Sequence, residues 1–182
     1  DPNKPKPMSY YHEGGPLHQA LDLRRRPARI AGVGLGIGAI AWWLEAEEHL
    51  VFYEIDPDNE PLARRWFRYL SPPQGEVEVR VGDARLLMEV EADRSRYDVV
   101  FVDAFSGDAV PLHLLTREAT QTWLSRLTDD GLLVVHLSNR YYDLRGVLAA
   151  IADAEGLHAA WRIGKAKPEV TDDPLASPMI AM

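Results

Sequence analysis

The chain has 182 residues, of which 46% are hydrophobic, and carries 20 basic against 28 acidic side chains for a formal net charge of −8. That length points to one domain with a core to bury, and so acidic a chain argues against a nucleic-acid partner and for cationic small molecules. With no cysteine, disulfides, thiolate metal ligands and a cysteine nucleophile are excluded, and no apolar run approaches the ~20 residues of a membrane span.

The opening Asp1-Pro2-Asn3-Lys4-Pro5-Lys6-Pro7 has no apolar centre, so it does not read as a signal peptide. Residues 1–9 are expected to form a flexible Pro-rich arm of a processed chain or fragment, and residues 10–182 a single domain. The lack of cysteine fits a cytoplasmic location. Arg29-Ile30-Ala31-Gly32-Val33 predicts a first strand, and Ile37 to about Glu48 a helix. Leu50 to Tyr53 predicts a second strand. The helix from Glu60 to about Leu70 carries Pro61 in its first turn. A third strand, Val77 to Val81, leads into a short helix from Asp83 to about Val90. Val99 to Val102 predicts the fourth strand and Arg117 to Leu127 a helix. Gly131 turns the chain into a fifth strand, Leu132 to Leu137. Leu144 to Ala154 predicts a further helix, Ala159 to Ile163 a sixth strand, and Ser177 to Met182 the opening of another. This alternation predicts an α/β fold, doubly wound, with a mostly parallel sheet and helices on both faces.

The first strand runs into Gly32-Val33-Gly34-Leu35-Gly36-Ile37-Gly38-Ala39, within which Gly34 to Ala39 satisfies the dinucleotide pattern. Such glycines let the backbone approach a ligand and aim free N–H groups at it, although they also serve strand–helix packing. The second strand ends in Glu54, at a spacing where an acid can accept both hydroxyls of a ribose. The third ends in Asp83, which can reach the exocyclic amine of an adenine or simply cap the next helix. The fourth ends in Asp103, with Asp108 beyond it. Each of these can hold a cation or act as a base, or can cap the following turn. Three strand-end acids behind a glycine loop suit a sulfonium and an amine better than a doubly anionic pyrophosphate. The pattern therefore favours an S-adenosyl-methionine-type site over a nicotinamide site.

Other residues carry less. His113, His136 and His158 lack metal-ligand spacing, so no metal is expected. His136, in an apolar strand, reads as a satisfied core histidine. Trp42 and Trp43 fall on the first helix, one expected against the sheet and one facing a partner. Tyr141 and Tyr142 follow the fifth strand and either pack or wall a pocket. Arg24-Arg25-Arg26 reads as a solvated turn. Ser106 lacks a G-x-S-x-G setting, which disfavours a hydrolase.

Several phrases resemble the spermidine synthase group of polyamine aminopropyltransferases, within the class I S-adenosyl-methionine-dependent methyltransferase fold. They are Tyr53-Glu54-Ile55-Asp56-Pro57, Gly82-Asp83-Ala84-Arg85, the run from Asp103 to Glu118, and His136-Leu137-Ser138-Asn139-Arg140. The resemblance covers roughly residues 10 to 164. It implies aminopropyl transfer from decarboxylated S-adenosyl-methionine to a polyamine-like amine. Gly34, Gly36 and Gly38 would cradle the methionine-derived arm, Glu54 the ribose and Asp83 the adenine. Asp103 would take a proton from the attacking amine, and Asp108 would help hold the polyamine. Tyr11-His12-Glu13 is similar to a family segment in which the tyrosine lines the amine site and the next residue contacts the cofactor; Tyr11 and His12 read equally as an aromatic surface turn. Ile37 stands where the family carries an acid that grips the cofactor's amine. Methyl transfer from ordinary S-adenosyl-methionine to a small molecule stays open, as does a non-catalytic nucleoside-binding domain of a larger membrane-associated protein. The expected partner is a small-molecule amine, with no nucleic acid and no membrane span in this chain; a homodimer is the assembly considered.

Overall fold

The computed structural model describes residues 6–91, 96–105, 111–137, 143–162 and 179–181. After a 3-10 turn, Ser9–Tyr11, come α1 (Pro16–Leu21), β1 (Arg29–Val33), a 3-10 helix (Ala39–Trp43), β2 (His49–Glu54) and α2 (Asn59–Trp66). They are followed by β3 (Glu76–Val81), α3 (Ala84–Val90), β4 (Tyr97–Val102), a 3-10 turn (Leu112–Leu114) and α4 (Arg117–Ser125). β5 (Leu127–Val135), α5 (Arg145–Ala154), β6 (Ala160–Arg162) and β7 (Met179–Ala181) complete the described elements.

The strands make one sheet in the order β3-β2-β1-β4-β5-β7-β6. Pairing is parallel from β3 through β5, whereas β7 runs antiparallel to both β5 and β6. The expected mostly parallel, doubly wound sheet is present. Its cause is legible in the alternation of side chains. Ala31, Val51, Val100 and Val102 point to one face, where Met88 of α3, Trp123 of α4 and Leu148 of α5 cover them. Ile30, Leu50, Phe52, Val99 and Phe101 point to the other, covered by Leu17 and Leu21 of α1, Ile40 of the 3-10 helix and Ala63 of α2. Burying each large side chain of this kind contributes about 1.5–3 kcal/mol. Of the arm expected over residues 1–9, the first five lie outside the described residues; Pro7 is buried and Lys6 Nζ pairs with Glu13 at 2.8 Å. Among the described residues no helix is long and apolar enough to cross a membrane.

Three expectations need correction. The helix expected from Ile37 to Glu48 is only the 3-10 helix Ala39–Trp43. Gly38 enters it with a left-handed φ of +77°, Leu44 leaves it extended, and Glu47 is itself left-handed at +66°. The competing pull comes from Glu48, whose buried carboxylate accepts from the backbone N–H of Glu45 (2.8 Å) and Ala28 (3.3 Å) and from Arg24 Nε and Nη2 (both 2.8 Å). Burial pushes the Glu48 carboxyl up, but these donors, led by Arg24, outweigh it and hold it below the usual glutamate range. Arg24 is the second correction: it is buried, and its guanidinium also donates to the carbonyls of Leu21 and Trp43. Arg25 and Arg26 are exposed, as a solvated turn requires. The fifth strand also begins earlier than Gly131 suggested, because Leu127 already pairs with Tyr97 before an irregularity restores register at Leu132 and Val99.

Candidate active site

The sheet order reverses between β1 and β4, and ligands in open α/β sheets bind outside the carboxyl ends of the strands at such a point. The two strands meet there closely. The Asp103 N–H donates to the Val33 carbonyl at 2.9 Å, and a Cβ on Gly34 would stand 2.7 Å from the Asp103 carbonyl oxygen. Gly34 also has φ +94°, so glycine is required twice over. Gly36 has φ +52° and open space where a side chain would go, so its backbone is bare toward solvent. Gly38 differs: a Cβ there would meet Leu70 Cδ2 at 2.5 Å, so it serves packing. Ile37, between the last two, is 39% exposed.

Glu54 ends β2 and is buried. Its Oε2 accepts from Leu35 N–H (3.0 Å) and Asn59 Nδ2 (2.8 Å), and its Oε1 from Asp56 N–H (2.9 Å). These bonds tie the glycine loop to the start of α2 and leave acceptor capacity on Oε1. Asp83 caps α3, its Oδ1 accepting from Arg85 N–H (2.9 Å) and Leu86 N–H (3.2 Å). The capping role foreseen for Asp83 is therefore present. At about 4.8 Å per strand, Asp83 and Asp103 stand about 14 Å apart along the sheet edge.

Asp103 has a different kind of setting. Tyr11 Oη donates to its Oδ2, and His136 Nδ1 meets its Oδ1 at 2.5 Å. Burial first, then the charge and hydrogen bond of Asp103, push the Tyr11 phenol well above its usual range, so it remains a donor. The Tyr11 carbonyl accepts from Trp43 Nε1 at 2.9 Å, which fixes the 3-10 turn over the sheet. His136 is buried; its ring lies 5.0 Å from that of Tyr10 and 4.9 Å, edge-on, from that of Phe105.

The structure thus brings Tyr11 and Asp103 together with Gly34 across the switch point, and sets Glu54 and Asp83 along the same edge. His12 turns back on its own segment, its Nδ1 bonded to the Glu13 carbonyl at 2.8 Å. Asp108 lies outside the described residues, as do Ser106, Tyr141 and Tyr142. Of the two tryptophans, Trp43 packs on the core and bonds Tyr11, while Trp42 sets its ring edge-on to Tyr69. His136 is a satisfied core histidine as read, but its partner is the site acid, which the sequence reading missed. The signal was available: His136 follows the β5 run as Asp103 follows that of β4. Asn59 was also missed and has no sequence signature; Trp43 was singled out for packing, but its bond to the Tyr11 carbonyl was not foreseen. Among the described residues no group of three or more His, Asp or Glu side chains could hold a metal ion.

No protein-family model matches the chain. A curated polyamine aminopropyltransferase of Vibrio vulnificus (strain CMCP6) is 33% identical over 124 residues, which is 65% of this chain and 41% of that protein. The chain therefore spans less than half the length of this relative. Human methyltransferase-like protein 13, solved with S-adenosyl-homocysteine (SAH), matches at a TM-score of 0.68 and 21% identity, over 89% of this chain and 77% of that one. Spermidine synthase from Thermotoga maritima matches at 0.59 and 19% identity, over 90% and 55%. The fold is the class I S-adenosyl-methionine-dependent methyltransferase fold, and in sequence the chain is similar to a polyamine aminopropyltransferase.

Proposed function

We propose that this protein transfers an aminopropyl group from decarboxylated S-adenosyl-methionine to a polyamine-like amine. The observation that carries the reading is the close approach of Gly34 to the Asp103 backbone across the switch point, which sets the glycine loop beside the residue that bears the strand-end carboxylate. The name of the Vibrio relative supports the reaction class, and the SAH in human methyltransferase-like protein 13 supports the class of ligand. The residues fit such a ligand. Gly36 offers bare backbone to its methionine-derived arm, with Gly34 bringing the loop against the Asp103 backbone and Gly38 keeping it packed on Leu70. Glu54 has acceptor capacity left on Oε1 for ribose hydroxyls. Asp83 caps through Oδ1, leaving Oδ2 for the adenine amine. The edge of about 14 Å between Asp83 and Asp103 suits an adenosyl group with a short arm. His12 is the further candidate for contact with the nucleoside.

The bound sulfonium supplies an activated carbon and a good leaving group. Positioning by the protein does the rest. Tyr11 walls the amine, and Asp103 accepts at Oδ2 the proton that the amine nitrogen loses as it bonds to that carbon. Asp108 is proposed as the second acid, neutralising the far ammonium of the acceptor. A cytoplasmic setting is part of the proposal and is in keeping with a cysteine-free chain. Ile37 favours a second reading, methyl transfer from ordinary S-adenosyl-methionine, because an isoleucine sets no negative charge against the carboxylate that only the ordinary form carries.

Turnover assays of the full chain with each cofactor form and a diamine separate these readings. Aminopropyl product with the decarboxylated form supports the first, methylated amine with the ordinary form the second. Tight nucleoside binding without either product points to a non-catalytic domain.

A further inference from the structure

We infer that His136 is the positioning residue for Asp103, holding one carboxylate oxygen while Tyr11 holds the other. The inference rests on the reading of Asp103 as the proton acceptor. An ionised carboxylate only accepts hydrogen bonds, so the proton between Asp103 Oδ1 and His136 Nδ1, 2.5 Å apart, belongs to Nδ1. His136 is therefore held with Nδ1 protonated. The ring cannot turn freely: it sits against Tyr10 and Phe105, is buried, and its own backbone N–H donates to the Val102 carbonyl at 2.9 Å.

The consequence for Asp103 is geometric. Its two oxygens are held from opposite directions along the chain, Oδ2 by a residue 92 positions before it and Oδ1 by one 33 positions after it. Rotating the carboxylate would break both bonds. Two donors leave two of the four acceptor positions, so the group stays able to receive an amine proton while its direction is set. A base that must meet the amine nitrogen at hydrogen-bond distance gains directly from this, since a displacement of about 1 Å at the reacting groups costs about 100-fold in rate. His136 touches neither reactant in this scheme; it acts through Asp103.

The test uses the full chain and two variants. His136→Leu removes the donor; His136→Asn keeps an N–H donor at a similar distance from the backbone. Expected are a fall of about 100-fold in kcat for His136→Leu and recovery to within about 5-fold of wild type for His136→Asn. KM for the nucleoside and the calorimetric affinity for methylthioadenosine stay unchanged, because the glycine loop and Glu54 are untouched. A Leu variant as fast as wild type, or an Asn variant as slow as Leu, would overturn the inference. A second readout does not need turnover. Long-range 1H–15N correlation of the His136 ring should show Nδ1 protonated in wild type and a shift toward the Nε2–H tautomer in Asp103→Ala, with Asp103→Asn measured if the alanine variant does not fold. An unprotonated Nδ1 in wild type overturns the positioning role, whereas a protonated Nδ1 with no amine transfer upholds it and rejects the proposed reaction.

Discussion

On the β1–β3 flank of the switch point, Glu54 and Asp83 are held largely by backbone N–H groups and near neighbours: Leu35, Asp56 and Asn59 for one, Arg85 and Leu86 for the other. On the β4–β5 flank, Asp103 is held by two side chains from distant segments, Tyr11 and His136. Backbone donors come with the local turn and survive most substitutions. Side-chain donors can be changed one at a time. On the proposed reading, the nucleoside flank is built for robust binding, and the acceptor flank is where a new substrate or a lost activity is reached by few changes.

That contrast can be broken from either side. The largest expected effect is Asp103→Asn, which removes the proton acceptor while keeping its shape: turnover falls by about 10²–10⁴-fold, with the calorimetric affinity for methylthioadenosine unchanged. Turnover equal to wild type would take Asp103 out of the role. Next is Gly34→Ala, which sets a methyl against the Asp103 carbonyl and forces a left-handed φ on alanine. It should destabilise the fold by about 1–3 kcal/mol in chemical denaturation, and it alone should damage both flanks together. Asp83→Ala removes a helix cap, at a cost of about 1 kcal/mol, and weakens adenosine binding without changing the rate at saturation. Asp83→Asn keeps the cap and should lose less in both.

Smallest is Tyr11→Phe, which deletes one hydrogen bond, a net change of about 1 kcal/mol, visible in KM for the amine more than for the nucleoside. Tyr11 also gives the pH dependence its sign. Burial first and then Asp103 raise its folded value above the ordinary 10.0, and Tyr53 is raised likewise by burial and its bond to Tyr97. The unfolded chain therefore ionises first as pH climbs, so this stability is intact below about pH 10 and is lost above it. Tyr11→Phe should flatten that alkaline decline in a series of melting curves; an unchanged decline would place its cause elsewhere.

The same contrast explains what the sequence disclosed. The sheet was legible because β1, β2 and β4 are apolar on both faces and separated by helix-length segments. Gly34, Glu54 and Asp83 were legible because their spacing from the strand ends is itself the signal. The Asp103 setting was not, since nothing local joins Tyr11 to a residue 92 positions later or marks His136 as its partner. The helix expected after the glycine loop failed for a related reason. Glu48, reached by Arg24 across 24 positions, gathers the backbone into a turn that helix propensity does not foresee. Long-range polar contacts overrode local preference in both places.

On the proposed reading, a nucleoside cradle and an amine-directed carboxylate share one pocket. The most direct measurement is calorimetric titration of the full chain with decarboxylated S-adenosyl-methionine, ordinary S-adenosyl-methionine and methylthioadenosine. Saturable heat with methylthioadenosine, and with at least one of the two cofactor forms, is the expected result. No heat with any of the three would contradict it.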